Sequence, residues 1–199
     1  MKPINLVGLA VLLCATAACQ SDKEMNTNPE PIMSSIYQED DKGSLDFTPN
    51  LAGARAAAAT SAQQTEILNR INAIRAKPCT CGGRSYPAVP ALTLNNQLNT
   101  AADKHAVDMA SKNYFSHMGR DGSDPGTRIK REGYAWSTYA ENIAAGYTAS
   151  AQVVDGWRAS VGHCQNIMNP NLKHLGVGYG YSSSSTYKYY WVALFAKPK

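Results

Sequence analysis

The patterning of this chain predicts an α+β domain. Five stretches carry apolar residues at helical spacing, residues 177–193 switch to alternation, and no regular strand–helix repeat joins the two regions. At 199 residues the chain has room for one ordinary domain with appendages.

The appendages come first. "MKPINLVGLAVLLCATAACQ" sets a basic Lys2 before an apolar run from Ile4 to Ala18, too short to span a bilayer and closed by small residues. That is the layout of an export signal, assigned here to residues 1–18. Its ending, "ATAAC", is similar to a bacterial lipoprotein signal, whose cysteine becomes the lipidated first residue. Cys19 is then the lipid anchor and the membrane its partner, although Thr16 stands where such signals carry leucine. Residues 19–62 are polar, carry Pro29, Pro31 and Pro49, and lack an apolar period. They read as a disordered tether, leaving residues 63–199 for the domain.

Within the domain, Ile67, Ile71 and Ile74 follow helical spacing until Pro78. "PCTCGGRSYPAVPAL" reads as a loop dense in glycine and proline. Asn95 is placed to cap a longer helix with Leu98, Ala102, His105 and Met109 on one face. After a turn-rich stretch around His117, Asp124 as N-cap and Pro125 at the first helical position start a short helix closed by Gly133. "YAENIAAGY" is a short segment with no assigned element. "TASAQVVDGWRAS" reads as a helix, and Ser160 caps a last short one that carries His163 and Cys164 and stops at Asn169–Pro170. Val177, Tyr179 and Tyr181, then Tyr187, Tyr189, Trp191 and Ala193, alternate as two strands joined through "SSSST".

Export puts Cys79, Cys81 and Cys164 in an oxidising compartment, where three thiols make at most one internal pair. The C-T-C spacing is too tight for a comfortable local bridge, so Cys164 is expected to pair with Cys81 or Cys79. A zinc reading of "CTC" lacks a second Cys/His pair at ligand spacing. The formal charge of +4 divides into an acidic tether and a basic domain, but the basic residues are scattered. An exported chain without a basic stripe is not a nucleic-acid binder.

His117, Glu141 and His163 each sit in a turn-rich segment, where functional side chains are commonly displayed. Two imidazoles and a carboxylate suit a divalent cation such as zinc, or an acid/base group. His163 lies in the first turn of its helix, where the dipole favours a neutral ring. Other polar residues have plainer explanations. His105 reads as a hydrogen-bonded core histidine, His174 as a surface residue, and Trp157 and Trp191 as packing. Asp121 and Asp124 fit turn and cap chemistry, and Ser160 beside His163 lacks the nucleophile elbow of a serine hydrolase.

Four ordered motifs, "FSHMGRDGSDPGTRI", "AENIAAGY", "VVDGWRASVGHCQNIMNP" and "HLGVGYGY", resemble the CAP superfamily, or SCP-like extracellular domains, and most closely its bacterial branch. The group includes cysteine-rich secretory proteins, venom antigens and plant pathogenesis-related proteins. The resemblance covers roughly residues 63–197. It implies a three-layer α-β-α sandwich with a central antiparallel sheet, and at least one strand beyond the two read above. It also implies a cleft lined by His117, Glu141 and His163, often with a bound divalent ion. The second glutamate of the family pattern is Ser160 here, which removes a charge and a good ligand. Relatives with "CGG" and "GHC" imply a Cys81–Cys164 disulfide, leaving Cys79 odd.

The expectation is therefore an exported, lipid-anchored protein of the cell envelope or extracellular space, binding rather than catalysing. The family lacks a general reaction and its acidic set is incomplete here. The cleft would take a small-molecule, lipid or protein ligand, or a weakly held zinc or other divalent metal. Two alternatives stand beside it. One is a metal-assisted hydrolase of peptides or cell-wall material, with Glu141 or a histidine as base. The other is a structural adhesin with a vestigial cleft.

Overall fold

The computed structural model describes residues 32–39 and 58–199. The export signal, Cys19 and the remainder of the tether lie outside the described residues. Among these residues, no helix is long and apolar enough to cross a membrane.

The first strand, β1 (Ile32–Glu39), falls inside the segment read as a tether and corrects that reading. Helix α1 (Ser61–Arg75) begins two residues earlier than expected, because Thr60 and Gln63 form a reciprocal capping box. The expected loop contains a small hairpin, β2 (Cys79–Cys81) and β3 (Arg84–Tyr86), and is followed directly by β4 (Thr93–Leu94). Arms of three residues are too short to show a period. The turn between them uses Gly82 and Gly83, with φ of 57° and 84°, where other residues would be strained.

Helix α2 (Asn96–Lys112) is capped by the Asn95 side chain and buries Leu98, Ala102, His105 and Met109 on one face, as their spacing predicts. Helix α3 (Pro125–Arg131) starts from Asp124, whose carboxylate accepts the Thr127 N–H at 2.6 Å. The unassigned "YAENIAAGY" proves to be most of β5 (Trp136–Ala145). All of β5 except Ser137 is buried, so no polar face alternates with an apolar one to reveal it. Helices α4 (Ser150–Ala159) and α5 (Val161–Ile167) follow. Ser160 occupies the α5 N-cap position, but its hydroxyl makes no capping bond. Strands β6 (His174–Tyr181) and β7 (Tyr189–Pro198) close the chain.

The main sheet runs β1-β5-β7-β6-β4, antiparallel throughout except for the parallel β4–β6 pair. Alternation along its strands sends side chains to two cores. On one face Ala140, Ala144, Val177, Trp191 and Phe195 meet Ile67, Ile71, Val153, Trp157 and Ile167 from α1, α4 and α5. On the other Tyr139, Ile143, Val192 and Leu194 meet Leu98, Ala102, Met109 and Ile129 from α2 and α3. This is an α-β-α sandwich with a helical layer on each side of the sheet.

Candidate functional site

Two adjacent residues of β5 organise the site. Because strand side chains alternate, Glu141 projects toward α3 and Asn142 toward α5. The Glu141 carboxylate is fully buried. Its Oε1 accepts from His117 Nδ1 at 2.6 Å and its Oε2 from Arg128 Nη2 at 2.8 Å. On the opposite face, Asn142 Oδ1 accepts from Asn166 at 2.8 Å, and Asn142 Nδ2 donates to the His163 carbonyl at 3.3 Å. One dipeptide thus grips a loop on one side of the sheet and a helix on the other.

His117 is held from three directions. His105, buried on α2, holds the preceding residue through Nε2 and the Ser116 carbonyl at 2.9 Å. Arg128, on α3, donates to the carbonyls of His117 and Ser123, both at 2.9 Å. The turn between them is tied by Asp121, which accepts from the Ser123 N–H at 2.9 Å and its hydroxyl at 2.6 Å. With Nδ1 spent on Glu141, the Nε2 of His117 is buried and has no partner. His163 is 2% exposed, and neither ring nitrogen has a partner. The backbone of Ser34 on β1 lies close by without meeting hydrogen-bond geometry.

The electrostatics follow from this packing. Burial alone raises the Glu141 pKa, but the Arg128 guanidinium and the His117 hydrogen bond outweigh it and hold the carboxyl at about 2. Burial lowers the His163 pKa; the Ser34 backbone opposes the shift, and His117 reinforces it. His105 is pushed down to about 4, chiefly by burial.

The structure brings His117 and Glu141 together but does not gather His163 with them at metal-ligand range. Among the described residues, the one group of three or more His, Cys, Asp or Glu ligand atoms within 4.8 Å of one another is Cys79, Cys81 and Cys164. Glu141 has both oxygens engaged, and Ser160 supplies no carboxylate. Two imidazoles fall short of the three protein ligands of a catalytic zinc site, so the residues do not fit the expected metal, and no chemistry is routed through one here. Glu141 positions His117 rather than lining a hollow.

Cys81 and Cys164 form a disulfide with a Cα–Cα distance of 5.6 Å, and Cys79 is free. Trp157 and Trp191 are fully buried in the core. His174 is not a surface residue: it begins β6, is half-buried, and its Nδ1 meets the Tyr134 hydroxyl at 2.8 Å. Arg128, Asn142 and Asn166 are the participants that sequence reasoning missed. "RIKRE" offers no period that separates the buried Arg128 from its more exposed basic neighbours.

With fold and site in hand, the family is clear. Residues 68–195 match the CAP family, described as the cysteine-rich secretory protein family, and the chain belongs to it. It is 34% identical over 129 residues to the uncharacterized protein YkwD of Bacillus subtilis, covering 65% of this chain and 47% of YkwD. The chain therefore spans about half the length of that relative. A crystal structure of an extracellular SCP-domain protein from Bacillus anthracis superposes with a TM-score of 0.56 at 26% identity, over 68% of this chain and 40% of that one. An outer surface protein from Borrelia burgdorferi superposes with a TM-score of 0.57 at 17% identity, over 73% and 100% respectively, a likeness of fold.

Proposed function

We propose that this protein is an exported binding module that takes an extended peptide along the edge of β5 that β1 covers, in place of β1 and beside His163. The observation that carries this reading is β1. Eight consecutive residues of the same chain, Ile32–Glu39, lie antiparallel on β5, from Ile32 opposite Ala145 to Glu39 opposite Thr138. Strand addition of this kind draws its affinity from main-chain hydrogen bonds, so a second peptide can use the same edge. His163, next to the Ser34 backbone of β1, adds a polar group to that edge. A buried nitrogen without a partner costs about 1–3 kcal/mol, so polar atoms of a bound chain are favoured there. Export is supported by the leader-like first 18 residues and by the extracellular and surface proteins this chain resembles. Retention by a lipid at Cys19 belongs to the same proposal.

The hydrolase alternative is weaker for a chemical reason. A general base works best with a pKa near the operating pH. Glu141, held at about 2 and bonded through both oxygens, is a poor one.

The test replaces residues 32–39 of the full chain with a glycine–serine linker. A labelled peptide of sequence IMSSIYQE is then titrated and followed by fluorescence anisotropy. The peptide should bind the replaced chain, bind the native chain at least about tenfold more weakly because its own strand competes, and bind less tightly after His163→Ala. No binding to the linker variant would overturn the proposal.

A further inference from the structure

The sulfurs at the β2–α5 contact are not used by the site described above. Cys79 and Cys81 stand two apart on β2, so both project from one face of the strand. That face meets Cys164 in α5. Cys164 is bonded to Cys81, yet Cys79 Sγ lies only 3.8 Å from Cys164 Sγ. All three sulfurs fall within 4.8 Å of one another. We infer that Cys79, Cys81 and Cys164 form a thiol–disulfide exchange site, in which the bond to Cys164 passes between the two cysteines of β2.

The step balances without an outside oxidant or reductant. The Cys79 thiol gives its proton to water, and the thiolate attacks Cys164 Sγ. A Cys79–Cys164 bond forms as the Cys81–Cys164 bond breaks; the electron pair leaves on Cys81 sulfur, which takes up a proton. The attacking sulfur has to line up with the breaking bond. Since the sulfurs are clustered, Cys79 reaches that line by rotating about its own side-chain bonds.

The hairpin is built to follow. Its arms are three residues long, and it turns on Gly82 and Gly83, both at positive φ. Val161, at the start of α5, packs so closely over Gly82 that a Cβ there would lie 2.6 Å from its Cγ1. Moving the anchor by two strand residues shifts the attachment of α5 by about 6–7 Å along β2.

Disulfide mapping of the full oxidised chain tests this. Samples held in acid and samples incubated in mildly alkaline buffer are quenched with acid, unfolded and alkylated, and fragmentation of the peptide spanning residues 76–84 locates the label. Acid-held protein should carry it on Cys79 alone, and incubated protein on either Cys79 or Cys81. In Cys81→Ser, oxidised with a small-molecule disulfide that is itself reduced to two thiols, the label on Cys79 should be lost as the Cys79–Cys164 bond forms. A label confined to Cys79 after incubation overturns the inference, as does a Cys81→Ser chain with both Cys79 and Cys164 labelled. A Cys79–Cys79 link between two chains overturns it as well. If Cys81→Ser does not fold, the wild-type comparison decides alone.

Discussion

At the scale of single residues, Arg128 does more than the histidines to define the site. Its guanidinium bonds the carbonyls of His117 and Ser123 and the buried Glu141 carboxylate. Removing it strands a buried charge, which typically costs about 3–5 kcal/mol. Arg128→Met should therefore lower stability to urea by about that much. Glu141→Gln should be destabilising in the native background, because it weakens a charge-assisted pair. In the Arg128→Met background it should be neutral or stabilising, since it deletes the stranded charge. A double-mutant cycle by chemical denaturation measures the difference. Simple additivity of the two substitutions would show that the pair does not act as a unit.

At the scale of elements, β6 and α2 show how much the sequence revealed and where it fell silent. The alternation of Val177, Tyr179 and Tyr181 marks a strand, and Leu98, Ala102 and His105 mark a helix face. Neither pattern says that the two elements touch backbone to backbone. The intervening glycines provide that contact: a Cβ on Gly178 would lie 2.1 Å from the Ala102 carbonyl carbon, and one on Gly176 2.2 Å from that of Leu98. The small residues Ala102 and Ala106, four apart on α2, complete the fit. Gly178→Ala has no flexible neighbour to displace, so it should cost about 3 kcal/mol or more and lower the melting temperature by at least several degrees, as calorimetry would show. An unchanged melting temperature would mean that α2 shifts freely.

The elements that escaped the sequence reading did so for related reasons. β5 is buried on both faces and shows no polarity alternation. β1 is an edge strand paired with β5 alone, and it follows prolines that suggest a loop. Of the candidate site, the motifs around His117, Glu141 and His163 were legible because they resemble a family pattern. Arg128 and Asn142 were not, because their roles depend on which face of an element they occupy, and a buried arginine looks like a surface one in sequence.

At the scale of the whole molecule, the two helical layers are joined through the sheet by groups that resist protonation, and this makes the fold sensitive to acid. Burial depresses the His105 pKa from 6.5 to about 4 and lowers that of His163 in the same direction. For a base held neutral in the fold, the unfolded chain binds the proton first. Stability is then complete above about pH 6.5 and declines as pH falls toward 4, by about 3 kcal/mol for His105 alone. Glu141, depressed from 4.5 to about 2, adds a second loss that begins below pH 4.5 and continues as pH falls through 2. Urea midpoints measured across this range should thus descend in two stages. His105→Gln can still donate a hydrogen bond to the Ser116 carbonyl but does not titrate, so it should flatten the upper stage and leave the lower one intact. An upper stage of undiminished slope in that variant would show that the protons are taken up elsewhere. His105 would then serve only to hold the loop that carries His117.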